Sequence, residues 1–243
     1  MGRIDLNADL GEGAGLDEAL LAIVSSANIA CGLHAGGPGE SFHALHEAAA
    51  RGVVVGAHPG HADRARFGRV AIDLAPSELR ALLEYQVGAL TAVAELAGAR
   101  LAHLKPHGAL YHQASESIAV ATAVAETASR WRLAVVGPPA SCLAEACLGR
   151  TSFVPEGFLD RRYGADGKLL PRTDPRAQIS DPAESLEQAL RLIDSGVATL
   201  CVHGDNPGAV DLAGKVRQGL EARGIAIRPA VGSAPKRSGG ESQ

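Results

Sequence analysis

Aromatic side chains and positive charge are both scarce in this sequence. Phe, Trp and Tyr make up 3% of the 243 residues while 46% are hydrophobic, so small aliphatic side chains rather than aromatic rings fill the core. Lys and Arg number 23 against 27 Asp and Glu, which gives a net charge of −4 and leaves no basic field to attract a phosphate backbone or an anionic lipid surface. We therefore expect neither nucleic acid nor a membrane among the partners.

Several motifs of known chemistry are also missing. The sequence contains neither GxxxxGK[ST] nor GxSxG, which argues against a P-loop and a serine nucleophile elbow. No apolar run reaches the length of a signal peptide near the N-terminus, or the roughly 20 residues of a transmembrane helix, so the expected location is the cytoplasm. The cysteines form no CxxC pair, so a zinc knuckle or redox dithiol is not indicated. They are Cys31, Cys142, Cys147 and Cys201.

The chain does contain a regular alternation of apolar segments. Short β-type runs alternate with longer helical patterns from end to end, which indicates parallel βα units. Periodicity alone does not separate an open doubly wound sheet from a barrel, but seven or eight units in one domain fit a (β/α) barrel better. We predict one barrel domain over residues 1–231 and a disordered, Gly/Ser-rich tail over 232–243. The predicted strands lie near Ile4–Asn7, Ala27–Ala30, Val53–Ala57, Leu101–Lys105, Leu133–Val136, Ser152–Pro155 and Thr199–Val202, with an eighth candidate at Ile225–Arg228.

Three predicted helices have ends that the sequence explains, since each starts at an N-cap residue or a proline and stops at a glycine. They run from Asp181 to Gly196, from the Pro76 segment to Gly98 and from Pro38 to Gly52. Residues 161–181 show no periodic pattern. A loop of this length is typical of a functional lid or of a disordered segment.

Polar residues follow six of the predicted strands, each beside a glycine or a proline. A single buried histidine is more often a packed core residue than a ligand, but repetition at equivalent positions favours a shared pocket. The C-terminal ends of barrel strands open onto one face, and glycine lets the backbone approach a ligand closely. The polar residues are Asn7, Asp9, Asn28, His34, His58, Lys105, His107, Glu156, Arg161, His203, Asp205 and Asn206.

The chemistry of this set suits hydrolysis of a small anionic amide or ester. Histidine and aspartate hold divalent metals or act as general acids and bases near neutral pH. The metal-ligand candidates are Asp9, His34 and His58. Lys105 and Arg161 can neutralise a carboxylate or a developing oxyanion. The residues leave open whether a metal or a carboxylate activates the water, and Cys31 is a further, less favoured nucleophile because a small buried cysteine at a strand end is the commoner outcome.

The chain contains, in order, the segments DLNADLGEG, SANIACGLHAG, GAHPG with RFGR, YQVGAL, HLKPHGALY, EGFLDRRYGADGKLLPR and CVHGDNPGAV. From Ile4 to about Val231 these blocks resemble the LamB/YcsF family, the A subunits of prokaryotic 5-oxoprolinase. The resemblance implies a distorted seven-stranded (β/α) barrel of the glycoside hydrolase/deacetylase type. It also implies ATP-dependent opening of the lactam 5-oxoproline to glutamate, in complex with B and C subunits. Whether ATP or a divalent metal binds this chain stays open.

Under this interpretation each polar residue receives a role. The two aspartates position or deprotonate water with help from the histidines, while Lys105 and Arg161 bind the substrate carboxylate or an acyl phosphate and Glu156 donates a proton. The catalytic candidates are Asp9, His34, His58, Lys105, His107, Glu156 and Asp205. The substrate-binding candidates are Asn7, Asn28, Arg161, His203 and Asn206. Gly37 stands where the family pattern has an aspartate, and the loss of a helix cap there is worth about 1 kcal/mol.

Two other functions remain open. The fold and the His/Asp inventory permit a stand-alone metal-dependent deacetylase or amidohydrolase, although the sequence contains no HExxH pair. A non-catalytic scaffold subunit that binds the B and C partners is the third possibility. A homo-oligomer is compatible with each of the three.

Overall fold

Parallel strands close into a barrel in the computed structural model, which describes residues 2–204, 206 and 208–232. The strands are β1 Arg3–Leu10, β2 Ser26–Ala30, β3 Val54–His58, β4 Leu101–Leu104, β5 Ala134–Gly137, β6 Phe153–Phe158, β7 Thr199–His203 and β8 Ala226–Ile227. Strands β2 to β7 pair in sequence order, and β1 hydrogen-bonds to both β2 and β7, which closes a ring of seven. The predicted seven-stranded barrel is confirmed. The eighth candidate forms a two-residue strand beside Arg3 and Ile4 of β1.

Helices follow most of the strands and cover the barrel. In the described part of the chain they are α1 Asp17–Leu21, α2 Pro38–Arg51, α3 Pro76–Leu96, α4 Gly108–Glu116, α5 Ile118–Trp131, α6 Cys142–Cys147, α7 Pro182–Asp194 and α8 Ala209–Glu221, with a 3-10 turn at Arg64–Arg66. The predicted helix starts at Pro38, Pro76 and Asp181 are confirmed. Among these helices, none has both the length and the apolar character that crossing a bilayer requires.

The apolar core lies between the strands and the helices, whereas the inside of the barrel is polar. Ile4, Leu6, Ala8 and Leu10 of β1 belong to the main hydrophobic cluster. The residues between them are polar and buried, because successive side chains of a strand point to opposite faces. Asp5, at the start of this polar row, accepts hydrogen bonds from the hydroxyls of Ser25, Ser26 and Thr199 at 2.6–2.7 Å. A polar column therefore runs through the barrel.

The segment 161–181 is neither helical nor extended throughout, but its backbone is paired. Arg161 bridges to Gln178 and Tyr163 to Leu169, both antiparallel. The Tyr163 hydroxyl accepts a hydrogen bond from the Phe158 amide at 3.0 Å, and Tyr163 and Leu169 pack against a small cluster that contains Phe158. The segment thus borders the C-terminal mouth of the barrel. From residue 233 onward, the predicted tail lies outside the described residues.

Candidate functional site

The C-terminal ends of the strands surround a small cleft at the mouth of the barrel. Among the residues lining it are six predicted site residues, Asp9, His58, Lys105, His107, Arg161 and His203. Asn206 lines a neighbouring, more open cleft that Arg161 also borders. Asn7, Asn28 and Glu156 lie beneath the first cleft, in the polar interior of the barrel, and are buried. Asp205 lies outside the described residues.

Lys105 joins two carboxylates at the floor of the cleft. Its Nζ lies 3.0 Å from Asp9 Oδ1, 2.9 Å from Glu156 Oε1 and 3.0 Å from Cys201 Sγ, and the side chain is 2% exposed. Burial alone would lower the pKa of Lys105, but Asp9, Cys201 and Glu156 raise that pKa well above its ordinary value. The ammonium therefore stays charged at neutral pH and acts as a fixed positive charge rather than as a base.

Asp9 is held as a carboxylate within reach of the cleft. Burial alone would raise the pKa of Asp9, but His58, with Nε2 3.4 Å from Oδ2, and Lys105 hold that pKa well below its usual range. Asn28 Nδ2 donates a hydrogen bond to Oδ1 at 2.8 Å and so fixes the orientation of the group. An ionised carboxylate in this position can accept a proton or orient a water molecule.

Glu156 lies on the far side of Lys105 and is surrounded by donors. The hydroxyl of Tyr111 donates to Oε2 at 3.0 Å, and Asn7 Nδ2 donates to Oε1 at 3.1 Å. Burial and the neighbouring Glu156 raise the pKa of Tyr111 well above its ordinary value, so the phenol keeps its proton. Tyr111 was not among the predicted site residues. Its position four residues after His107, on the first turn of α4, is the signal that could have found it.

Three histidines and Glu12 form a compact group beside Asp9. The ligand atoms of Glu12, His34, His58 and His107 all lie within 4.8 Å of one another. His34 and His58 were predicted metal-ligand candidates, whereas Glu12 and His107 take the place expected for Asp9 in this group. Burial lowers the pKa of His34 to about 3 and lowers that of His107 further, so both rings are neutral at pH 7. The sequence signal for Glu12 was its position between two glycines directly after β1.

Asp160 orients His203 at the opposite side of the cleft. Both carboxylate oxygens lie 3.0 Å from His203 Nδ1, and Oδ2 also accepts the His203 backbone N–H at 3.1 Å. The imidazole stacks on Phe158 with ring centroids 5.4 Å apart. Burial alone would raise the pKa of Asp160, but the contacts with His203 give a net lowering. His203 was a predicted site residue, whereas Asp160 was not.

Arg161 provides positive charge at the rim. Its Nη2 donates to the Leu170 carbonyl oxygen at 2.7 Å, and its Nε is buried without a hydrogen-bond partner among the described residues. Burial and the nearby Arg172 lower the pKa of Arg161, although a guanidinium remains charged at neutral pH. An anion in the cleft would be attracted to this group.

Cys31 does not have the features of a nucleophile. Burial raises the pKa of its thiol to about 12, so almost none of it is thiolate at neutral pH. Its Sγ contacts the Ile29 carbonyl oxygen at 3.7 Å. The structure therefore favours the interpretation of Cys31 as a small packed side chain.

Comparison with known proteins agrees with this architecture. The chain is 46% identical to the 5-oxoprolinase A subunit of Methylococcus capsulatus, over 92% of this chain and 94% of that relative. It superposes with a TM-score of 0.86 on the crystal structure of a lactam utilization protein from Thermus thermophilus, at 39% identity over 93% of this chain and 99% of that one. A family 4 carbohydrate esterase from Streptomyces lividans shares the fold alone, with a TM-score of 0.53 at 11% identity over 93% and 91% of the two chains. Residues 4–234 match the LamB/YcsF family, and the chain belongs to that family.

Proposed function

We propose that this chain is the A subunit of an ATP-dependent 5-oxoprolinase, working in the cytoplasm together with B and C subunits. The complex hydrolyses the lactam bond of 5-oxoproline to give L-glutamate. The observation that carries the proposal is the buried Asp9–Lys105–Glu156 arrangement below a small cleft, in a chain whose relatives bear the name of the 5-oxoprolinase A subunit.

The reaction explains why ATP is needed. The lactam amide is stabilised by resonance and its nitrogen is a poor leaving group. Phosphorylation of the carbonyl oxygen at the expense of ATP, which becomes ADP, activates the carbon. Water then adds to that carbon, the C–N bond breaks as the nitrogen takes a proton, and the product is an acyl phosphate. A second water hydrolyses this acyl phosphate to the glutamate side-chain carboxylate and inorganic phosphate. The sequence has no P-loop, so we propose that ATP binds to the assembled complex.

The proposed role of each side chain follows from its charge. Asp9, helped by His58 at 3.4 Å and in our proposal by Asp205, orients and deprotonates the attacking water. The Lys105 ammonium stabilises negative charge that develops on the carbonyl oxygen or on an acyl phosphate, and Glu156 holds that ammonium in place. Arg161, His203 and Asn206 border the space for the substrate carboxylate and amide.

Reconstitution tests the proposal. The purified chain is mixed with the B and C subunits of the same organism, and ATP-dependent glutamate release from 5-oxoproline is measured with each subunit omitted in turn. Asp9→Asn should abolish turnover, and circular dichroism checks that the variant is folded. Glu145→Gln, on α6, is the control and should retain turnover. Full activity without this chain, or with Asp9→Asn, would refute the catalytic role and favour a scaffold.

A second candidate is a metal-dependent amidohydrolase that acts without partners. The observation in its favour is the group of Glu12, His34, His58 and His107 beside Asp9. The same omission experiment separates the two functions, because a stand-alone hydrolase releases product from the isolated chain without ATP. Glutamate release that requires ATP and all partners would exclude it.

A further inference from the structure

Backbone contacts fix where the protons lie on two histidines of the group beside Asp9. His58 Nδ1 lies 2.8 Å from the Lys105 carbonyl oxygen, and His107 Nε2 lies 2.8 Å from the Phe67 carbonyl oxygen. A carbonyl oxygen only accepts hydrogen bonds, so each of these ring nitrogens carries the proton. In the neutral ring the other nitrogen then has no hydrogen and presents a lone pair.

These two lone pairs are directed into the same small space. His58 Nε2 and His107 Nδ1 lie 3.0 Å apart, and Glu12 Oε1 lies 3.4 Å from the second of them and 3.9 Å from the first. His34 Nε2 adds a fourth atom, 3.3 Å from the same oxygen. A transition metal binds the neutral form of both rings, and in that form the two ring nitrogens and the carboxylate oxygen are all acceptors. Acceptors at these separations repel one another unless a cation lies among them.

The separations match a metal ion better than a shared proton. Bonds of about 2.05 Å from a tetrahedral ion to its ligands place neighbouring ligand atoms about 3.4 Å apart. Four of the six separations among these atoms are 3.0, 3.3, 3.4 and 3.9 Å, which are distributed around that value. A proton would join only one pair of the four atoms. Metal-binding histidines also donate their outer N–H to a backbone carbonyl or a carboxylate in most proteins, as His58 and His107 do here.

The surrounding backbone holds the rings in this arrangement. Gly68 has φ +62°, and a Cβ on it would lie 2.8 Å from His34 Cβ and 3.1 Å from His107 Cδ2. His34 and His107 stack with centroids 3.8 Å apart and planes within 8°. All three histidines are at most 5% exposed. The cluster is therefore organised by packing and is more than a chance meeting of surface side chains.

We propose that Glu12, His34, His58 and His107 bind one divalent transition-metal ion of the zinc type. Three imidazoles and one carboxylate are the donors that Zn²⁺ and its late first-row neighbours prefer, whereas Mg²⁺ and Ca²⁺ take oxygen ligands. His58 also lies 3.4 Å from Asp9, so the ion is adjacent to the floor of the cleft. The metal site requires neither ATP nor partner subunits, so loss of zinc binding and loss of 5-oxoprolinase activity are separate outcomes.

Titration of the isolated full-length chain tests the proposal. After chelation and dialysis, isothermal calorimetry with zinc sulfate should show one tight site, while magnesium chloride should show at least a hundredfold weaker binding. Cobalt(II) added instead of zinc should give the intense visible absorption of a tetrahedral site. Chelation should also lower the thermal unfolding midpoint, since an ion that binds the native state stabilises it.

Variants locate the ion. Glu12→Gln keeps the shape of the side chain and removes its charge, and His107→Ala removes one imidazole; each should weaken zinc binding tenfold or more. His112→Ala is the matched control, because this histidine is exposed at the cleft and lies outside the group. Circular dichroism checks that each variant is folded. Absence of zinc binding to the wild type, or unchanged affinity in folded Glu12→Gln, would overturn the proposal and leave a shared proton between His58 and His107.

Discussion

Lys105 is a buried cation between two buried carboxylates, those of Asp9 and Glu156. Lys105→Met removes the cation and leaves two negative charges close together out of contact with water. Breaking such an arrangement by removing one partner costs about 3–5 kcal/mol. We expect the free energy of unfolding, measured in urea at pH 7, to fall by about this amount.

Two controls separate the charge effect from a loss of packing. The double variant Lys105→Met, Glu156→Gln leaves one carboxylate and should recover part of the loss. Lys215→Met removes an exposed lysine that pairs with Asp211 at 2.8 Å on α8, and should change stability by about 0.5 kcal/mol or less. If Lys105→Met were as mild as Lys215→Met, the buried charges would not contribute as argued.

Asp160 gives the protein a pH dependence of known sign. Its pKa is lowered in the folded state through the contacts with His203, from about 3.9 in an unfolded chain. Stability from this group is therefore fully present above about pH 4 and is lost as the pH falls through the folded pKa. We expect the free energy of unfolding of Asp160→Asn to depend less steeply on pH in acid. Urea titrations from pH 7 down to the pH at which the protein unfolds without urea measure this dependence. An unchanged slope would contradict the assignment.

At the scale of elements, α7 shows how one residue sets the start of a helix. Asp181 accepts a hydrogen bond from the Ala183 N–H at 3.2 Å, and Pro182 follows at the first helical position. Asp181→Ala should lower the free energy of unfolding by about 1 kcal/mol, because a helix N–H loses its acceptor. Asp181→Asn keeps an acceptor and should be nearly neutral in the same urea titration. Equal losses in both variants would show that charge rather than capping matters here.

The start of α2 modifies an expectation drawn from the sequence. Gly37 is the N-cap residue, with extended backbone at φ −166° and no side-chain hydrogen bond. Glycine at an N-cap is only a few tenths of a kcal/mol less favourable than aspartate. The departure from the family pattern at this position therefore costs less than the roughly 1 kcal/mol first assigned to it.

The order of elements was predictable from the sequence because apolar periodicity and Gly/Pro positions are local signals. The same signals placed Asp9, His58 and Lys105 at strand ends, hence at one mouth of the barrel. They did not predict which side chains touch. Lys105 and Asp9 are 96 residues apart in sequence, and Glu12 reaches the histidines only because a turn with positive φ at Gly11 and Gly13 carries it there. Such contacts depend on rotamers and register, which a single sequence does not contain.

At the scale of the whole molecule, β1 is the strand that closes the barrel. It is paired along both edges, at Asn7–Leu10 with β2 and at Asp5–Asp9 with β7. We expect its amides to exchange with solvent only through global unfolding, whereas those of β8, which contacts two residues of β1, exchange by local opening. Hydrogen exchange with mass spectrometry measures both. Equal protection of β1 and β8 would contradict this order.

Closure by β1 also dictates when the site can form during synthesis. Asp9 and Cys201, both in contact with Lys105, are 192 residues apart, so the ribosome makes one side of the barrel long before the other. Until β7 emerges, β1 has an unpaired edge that can associate with other chains. The ring of seven strands therefore cannot close before β7 has been synthesised. A nascent chain arrested before Thr199 should be a preferred substrate for chaperones.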